Sequence, residues 1–229
     1  MALKRIMNRF LRLLYPPRCV ICHGLLPTDA EADGLCDCCA GHLPSVAPGK
    51  YRVLDETVSL CFSPFYYQDD MKQSIRRYKF CGRAHYHRIY GILLRAYLRD
   101  LDLAPPDAVT WAPLSKKRLR RRGYDQARLL AEEAASLYRL TAVPMLRKVR
   151  NTRPQSSLSA KARQKNAEGV YAPAVGSDIT GKRVLLVDDI ITTGSTLDAC
   201  AQVLLHAGAS EVVCLTLARS RLEQRGRDR

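Results

Sequence analysis

The sequence predicts an α/β fold: a parallel sheet flanked by helices, preceded by a small zinc-ribbon-like module. Three observations predict it. From about residue 53, strand-like runs alternate with helix-like runs, the pattern of parallel strands joined by crossover helices. Near the amino terminus, two Cys-x-x-Cys pairs sit in a Pro- and Gly-rich stretch with little periodicity. Residues 183–196, RVLLVDDIITTGST, carry an apolar run straight into two carboxylates and a hydroxyl-rich loop.

The elements follow in chain order. Leu3, Ile6, Met7, Phe10, Leu11 and Leu14 share one face of an amphipathic helix within residues 1–17, with Lys4, Arg5, Arg9 and Arg12 mostly opposite. Pro16 and Pro17 end it, and its apolar stripe is expected to pack on the protein's own body. Residues 18–50 form the cysteine module and residues 51–220 the main domain, with a polar tail over 221–229. In the main domain VSLCFSPFYY reads as extended, and DMKQSIRRYKF and HRIYGILLRAYLRD as helices. APPD is a loop, AVTWAPL a strand, and YDQARLLAEEAASLYRL a long helix. A hairpin is expected around TAVPMLRKV, followed by a long polar loop over residues 150–171. RVLLV is a buried strand, STLDACAQVLLHAGA a helix closed by Gly208, and EVVCLTLAR the last strand.

The 229 residues are 47% hydrophobic and 26% charged, as in a globular protein with a core. With 37 Lys+Arg against 22 Asp+Glu, the net charge of +15 points to an anionic partner such as nucleic acid, a phosphorylated metabolite or acidic lipid. No apolar run approaches the roughly 20 residues of a membrane span. Arg9 and Arg12 interrupt any secretion-signal core, so a cytoplasmic protein with reduced cysteines is expected.

Cys19-Val-Ile-Cys22 and Cys36-Asp-Cys38-Cys39 place two knuckles of one spacing in line. Four thiolates suit tetrahedral zinc, and the two-residue gap lets both sulfurs of a knuckle face one ion. Cys19, Cys22, Cys36 and Cys39 are the predicted ligands of a structural Zn2+, with an iron–sulfur cluster as the rival. Cys38 is a spare. Cys61, Cys81, Cys200 and Cys214 lie in apolar patterns and read as core.

A strand over Val184–Val187 would open at its carboxyl end into the crevice where parallel sheets bind ligands. Asp188 and Asp189 repel each other, and burying them unpaired is costly. They make sense as acceptors for sugar hydroxyls or as supports for a hydrated cation. Thr192, Thr193, Gly194, Ser195 and Thr196 then lead into a helix whose amino terminus offers unpaired N–H groups. Diol acceptors beside a phosphate cradle suggest a ribose 5-phosphate. No G-x-x-x-x-G-K-[ST] and no G-x-G-x-x-G after a strand are present. No Ser/His/Asp or Cys/His device appears, and His85 and His87 read as surface residues.

This segment resembles the phosphoribosyl-pyrophosphate (PRPP) motif of type I phosphoribosyltransferases. The wider chain, over about residues 10–220, is similar to the competence protein F (ComF) family of phosphoribosyltransferase-like proteins. PPRCVICHGLL, LCDCCAGHLP, RYKFCGR, APLSKKRLRRRGYDQARLLA, RPQSSLSAKARQKNAEGVY and VLLVDDIITTGST carry that similarity. It implies that Asp188 and Asp189 meet the ribose hydroxyls and that residues 192–196 hold the 5-phosphate of Mg2+–PRPP. It places a pyrophosphate loop near Pro113, Leu114 and Ser115, so Lys116, Lys117 and Arg118 are assigned to pyrophosphate. Arg153, Gln155, Arg163 and Asn166 are assigned to a closing loop, whose closure would exclude water. Asp125 departs from the family's Asn.

Two functions follow. In the first, the protein keeps a PRPP site and handles imported single-stranded DNA in natural transformation, alongside the DNA-uptake machinery. Arg120, Arg121 and Arg122 then form a DNA surface, with Tyr66, Tyr67, Tyr78, Phe80 and Tyr124 as stacking candidates. In the second, it is a metabolic phosphoribosyltransferase acting on a nucleobase or amine. No nucleobase pocket can be read from the sequence.

Overall fold

The computed structural model describes residues 15–27, 34–47, 60–150 and 169–221. The predicted helix within 1–17, the loop residues Arg153, Gln155, Arg163 and Asn166, and the tail beyond residue 221 lie outside them.

The main domain is built on a parallel sheet. Its strands are β1 (Leu60–Phe62), β2 (Phe65–Tyr66), β3 (Ala108–Trp111), β6 (Arg183–Ile191) and β7 (Glu211–Arg219), in the order β1-β7-β6-β3, with β2 continuing beside β7. β6 and β7 are buried almost end to end, as near-continuous apolar runs should be when helices cover both faces. Alternation along β6 divides the core. Leu185 and Val187 face the cluster with Met71, Ile75, Tyr90 and Leu130, whereas Val184 and Leu186 face Leu197, Cys200 and Leu204.

Helices α2 (Asp69–Phe80), α3 (His87–Arg99) and α5 (Gln126–Leu137) supply the first cluster, and α6 (Ser195–His206) the second. Three differences from the sequence reading matter. The KKRLRRR run, to which the sequence reading assigned no element, is a short helix, α4 (Lys116–Arg122), capped by the Ser115 hydroxyl at one end and by left-handed Gly123 at the other. The hairpin expected around TAVPMLRKV is instead one strand, β4 (Leu146–Lys148), paired antiparallel with β5 (Tyr171–Pro173), so the two flank the long polar segment. And β6 does not stop at Val187 but runs through both aspartates to Ile191.

The cysteine segment was expected to do without a hydrophobic core. Among the described residues, however, Cys19, Val20 and Ile21 are buried in the main cluster. Its described residues include the short helix α1 (Asp37–Gly41), whose cap is Cys36. No helix among the described residues is long and apolar enough to cross a membrane.

Candidate functional site

The last β3–β6 pair is Trp111 with Val187, so Asp188 and Asp189 emerge one step beyond the end of β3. There the chain after β3 turns away, and a crevice opens at the carboxyl edge of the sheet. Strand alternation sends the two side chains to opposite faces. The two carboxyls still feel each other's charge, but they have different partners. Asp189 is buried and pairs with Lys79 at the end of α2, Nζ to Oδ1 2.8 Å. Asp188 accepts the Asp189 backbone N–H at 2.8 Å and lines a small cleft with residues 190–197.

Burial, and then the charge of Asp189, push the Asp188 carboxyl up to about 8, against the pull of Lys79. An acid raised in the folded state binds its proton more tightly there than when unfolded. Its contribution to stability is complete below the unfolded value of 3.8 and is lost as pH climbs to about 8. Without ligand, the wild type is therefore expected to lose melting temperature relative to Asp188→Asn between pH 6 and pH 8, with the gap levelling above that. Thermal melts of the pair across this range check it; parallel curves would remove the basis for a buried, proton-holding Asp188.

The loop that follows has the geometry to hold an anion. Gly194 adopts φ 84°, which a side-chain-bearing residue rarely takes, and it caps the twelve-residue helix α6. The Thr193 and Ser195 hydroxyls lie 3.0 Å apart, and Asp198 N–H already bonds Gly194 O at 2.9 Å. The first residues of α6, whose amides have no partner within the helix, line the cleft, whose volume is about 50 Å³.

Basic residues surround this mouth in two groups. Arg118 and Arg122, one turn apart on α4, are half-buried. Arg122 lies within the field of Asp189, bonds Gln126 Oε1 at 2.8 Å and covers the Phe80 ring at 4.9 Å. Arg118 lies within the field of Lys148 and Tyr171. Lys148, on β4, sits over Tyr171 at 5.1 Å, and burial followed by Arg118 draws its pKa down. The Tyr171 hydroxyl accepts from Lys148 Nζ at 3.4 Å and lies near Thr196 of the anion loop. The outer face of α4 is separate: Lys116, Lys117, Arg120 and Arg121 line a groove of about 600 Å³.

Asp125 caps α5 through the Arg128 N–H and also accepts the Leu114 N–H, both at 3.3 Å. A carboxylate here thus ties the loop after β3 to the helix behind it. Of the stacking candidates, Tyr78 is fully buried, which removes it. Tyr124 is half-buried and donates to Tyr78 O. Tyr66 is covered by Arg219 and Arg221, and Phe80 is 58% exposed.

The cysteines converge. The sulfurs of Cys19, Cys22, Cys36 and Cys39 all lie within 4.8 Å of one another, and Cys38 is excluded. Tetrahedral zinc with bonds of about 2.3 Å requires sulfurs about 3.8 Å apart, and Cys22 and Cys36 stand at 3.9 Å. The Gly24 and Cys39 amides each donate to a knuckle sulfur at 3.4 Å, which favours thiolate. Burial disfavours ionised Cys19, but the amides of Cys36, Cys22 and Ile21 outweigh it and bring the thiol down to about 7. Burial and the other sulfurs push Cys39 well up, a crowding of charge that a divalent cation would relieve. These residues fit a closed four-thiolate Zn2+ centre, which leaves no position for substrate.

Sequence reasoning missed Lys79 and Lys148, and put Arg122 on an outer surface. Lys79 was visible only as part of RYKFCGR. Nothing local marked Lys148, because its setting is made by β5, beyond the long polar segment.

Comparison with known proteins adds four findings. The phosphoribosyl transferase domain model matches residues 123–229. Over 164 residues the chain is 35% identical to competence protein F of Haemophilus influenzae, covering 68% of this chain and 70% of that protein. It is 28% identical over 210 residues to the DNA utilization protein YhgH of Salmonella typhi, covering 88% and 90%. It is also 32% identical over 166 residues to competence protein ComFC of Bacillus subtilis, covering 69% and 63%.

Proposed function

The chain belongs to the competence protein F (ComF) family, and from that premise we propose that it binds Mg2+–PRPP and handles imported single-stranded DNA in natural transformation. Its fold is of the phosphoribosyltransferase type, with a four-cysteine cluster at the amino-terminal side. The names of its relatives support a competence-related role.

One observation carries the PRPP reading. A central strand carries two adjacent carboxyl groups to the carboxyl edge of the sheet, with Asp188 lining the cleft, and leads into a glycine-hinged helix terminus. In this reading Asp188 and Asp189 accept hydrogen bonds from the ribose hydroxyls. The amides of residues 194–196 and the hydroxyls of Thr192, Thr193, Ser195 and Thr196 hold the 5-phosphate. Arg118, Arg122 and Lys148 neutralise the diphosphate from the open side. Magnesium arrives with PRPP and neutralises charge on the phosphate oxygens. Isothermal titration of Mg2+–PRPP tests this reading, with saturable binding at one site per chain as the expected result.

The DNA reading rests on the net charge of +15 and on the groove along the outer face of α4. Phe80, 58% exposed and under Arg122 rather than in that groove, is an aromatic residue of the kind that stacks unpaired bases. Each phosphate contact with single strands contributes about 0.7 to the slope of log K against log salt. Arg120→Ala with Arg121→Ala is therefore expected to flatten that slope by about 1.4 and to weaken binding most at low salt. Fluorescence anisotropy with a labelled oligonucleotide over a salt series checks it. An unchanged slope would move the DNA surface off α4. Pyrophosphate release with a defined base, in a protein without DNA affinity, would instead support a metabolic transferase.

A further inference from the structure

The cysteine knuckle and the acidic pair are joined by a single helix. Val20 and Ile21 lie between Cys19 and Cys22, so their carbonyls belong to the loop that the metal shapes. Both carbonyls are received by α2: Ser74 Oγ donates to Val20 O at 2.5 Å, and Arg77 Nη2 donates to Ile21 O at 2.5 Å and Val20 O at 3.3 Å. Two residues further along α2, Lys79 reaches Asp189 at 2.8 Å. Between them Tyr78 is fully buried and bonds Gln126 O at 3.1 Å, at the start of α5. The carboxyl-terminal half of the helix is therefore fastened both to the knuckle, through Ser74 and Arg77, and to the strand that carries the acids, through Lys79.

We propose that Lys79 is a positioning residue for Asp188 and Asp189, and that the four-cysteine centre sets its place through α2, so that metal loading and ligand affinity are linked. The proposal rests on the PRPP reading of the acidic pair. Its physical basis is charge. Both acids stand at the end of a buried strand, and Lys79, with a side chain only 17% exposed, is the cation paired with Asp189. When the ammonium is in place, Asp189 keeps its 2.8 Å partner and both side chains can keep the directions that accept hydroxyl protons. When metal is lost, the Val20–Ile21 loop relaxes and Ser74 and Arg77 lose their acceptors. The carboxyl-terminal turn of α2 then drifts, and Lys79 leaves Asp189. Arg77 bonds the knuckle's carbonyls rather than its sulfurs or the acids, which makes it the residue that isolates the link.

The test titrates Mg2+–PRPP into zinc-loaded wild type, Arg77→Met, Lys79→Met and Lys79→Arg, with zinc content measured for each. Arg77→Met is expected to keep one zinc per chain and to weaken PRPP about tenfold, within the usual range of coupling between sites. Lys79→Met is expected to weaken it further, and Lys79→Arg to recover most of the loss, which a purely structural role would not give. Linkage is reciprocal, so saturating PRPP should tighten zinc against a chromogenic chelator by the factor by which zinc tightens PRPP. Arg77→Met that holds zinc and binds PRPP like the wild type overturns the proposal. If wild type itself fails to bind PRPP, the ligand reading falls, and the mechanical link is read separately. Hydrogen exchange of residues 188–197 is expected to rise when zinc is chelated from wild type; unchanged protection there overturns the link as well.

Discussion

Asp188→Ala combined with Asp189→Ala is expected to lower PRPP affinity by about thirtyfold or more while the protein stays folded. A hydrogen bond to the Asp189 carboxylate paired with Lys79 contributes about 1.5–3 kcal/mol and one to a protonated Asp188 about 0.5–1.5 kcal/mol, so losing both costs about 2–4.5 kcal/mol, or roughly 30- to 2,000-fold in affinity. The fold should survive because the apolar part of β6, Val184 to Val187, is untouched and its register with β7 is long. Lys79 loses its partner, and Asp188→Asn with Asp189→Asn controls for that by keeping shape without charge. Titration calorimetry, with circular dichroism and zinc content as checks on folding, measures the effect. Wild-type affinity in the double alanine variant would mean that the carboxylates do not hold the sugar.

Removal of the metal is expected to have the second-largest effect, on stability. Cys19→Ser or chelation opens a centre whose counterparts in small peptides hold roughly 10–16 kcal/mol of apparent binding free energy. If about 4 kcal/mol of that reaches global unfolding, the melting temperature falls by about 8–16 °C for a chain of this size. Two observations argue that the damage spreads. Cys19, Val20 and Ile21 belong to the main core, and Ser74 and Arg77 depend on the knuckle carbonyls. Loss of protection should therefore run from residues 18–47 into α2. Calorimetric melts with and without a chelator check this. An apo protein that melts with the holo protein would count against a structural metal.

The features that could be read from the sequence were those written locally. The β6 and β7 runs are too apolar for anything but a covered sheet, and the paired Cys-x-x-Cys spacing announced a centre that the sulfurs then form. Asp188, Asp189 and the Gly194 turn stood out because like charges beside a hydroxyl loop have few purely structural explanations. What stayed hidden depended on distant segments. The partner of Asp189 is a lysine from another helix, and that of Lys148 is a tyrosine across the β4–β5 pair. Alternation could have shown that adjacent aspartates on one strand face opposite ways, had the strand been carried past Val187. The α4 helix was legible too: Ser115 and Gly123 are a cap and a stop, but seven residues so densely charged read more readily as a loop.

A crystal structure of the zinc-loaded protein with PRPP and magnesium tests the central claim most directly. The expected density has the 5-phosphate on the amides of residues 194–196, the ribose hydroxyls on Asp188 and Asp189, and the diphosphate toward Arg118 and Lys148. Sugar bound elsewhere, with both carboxylates turned to solvent, would contradict it.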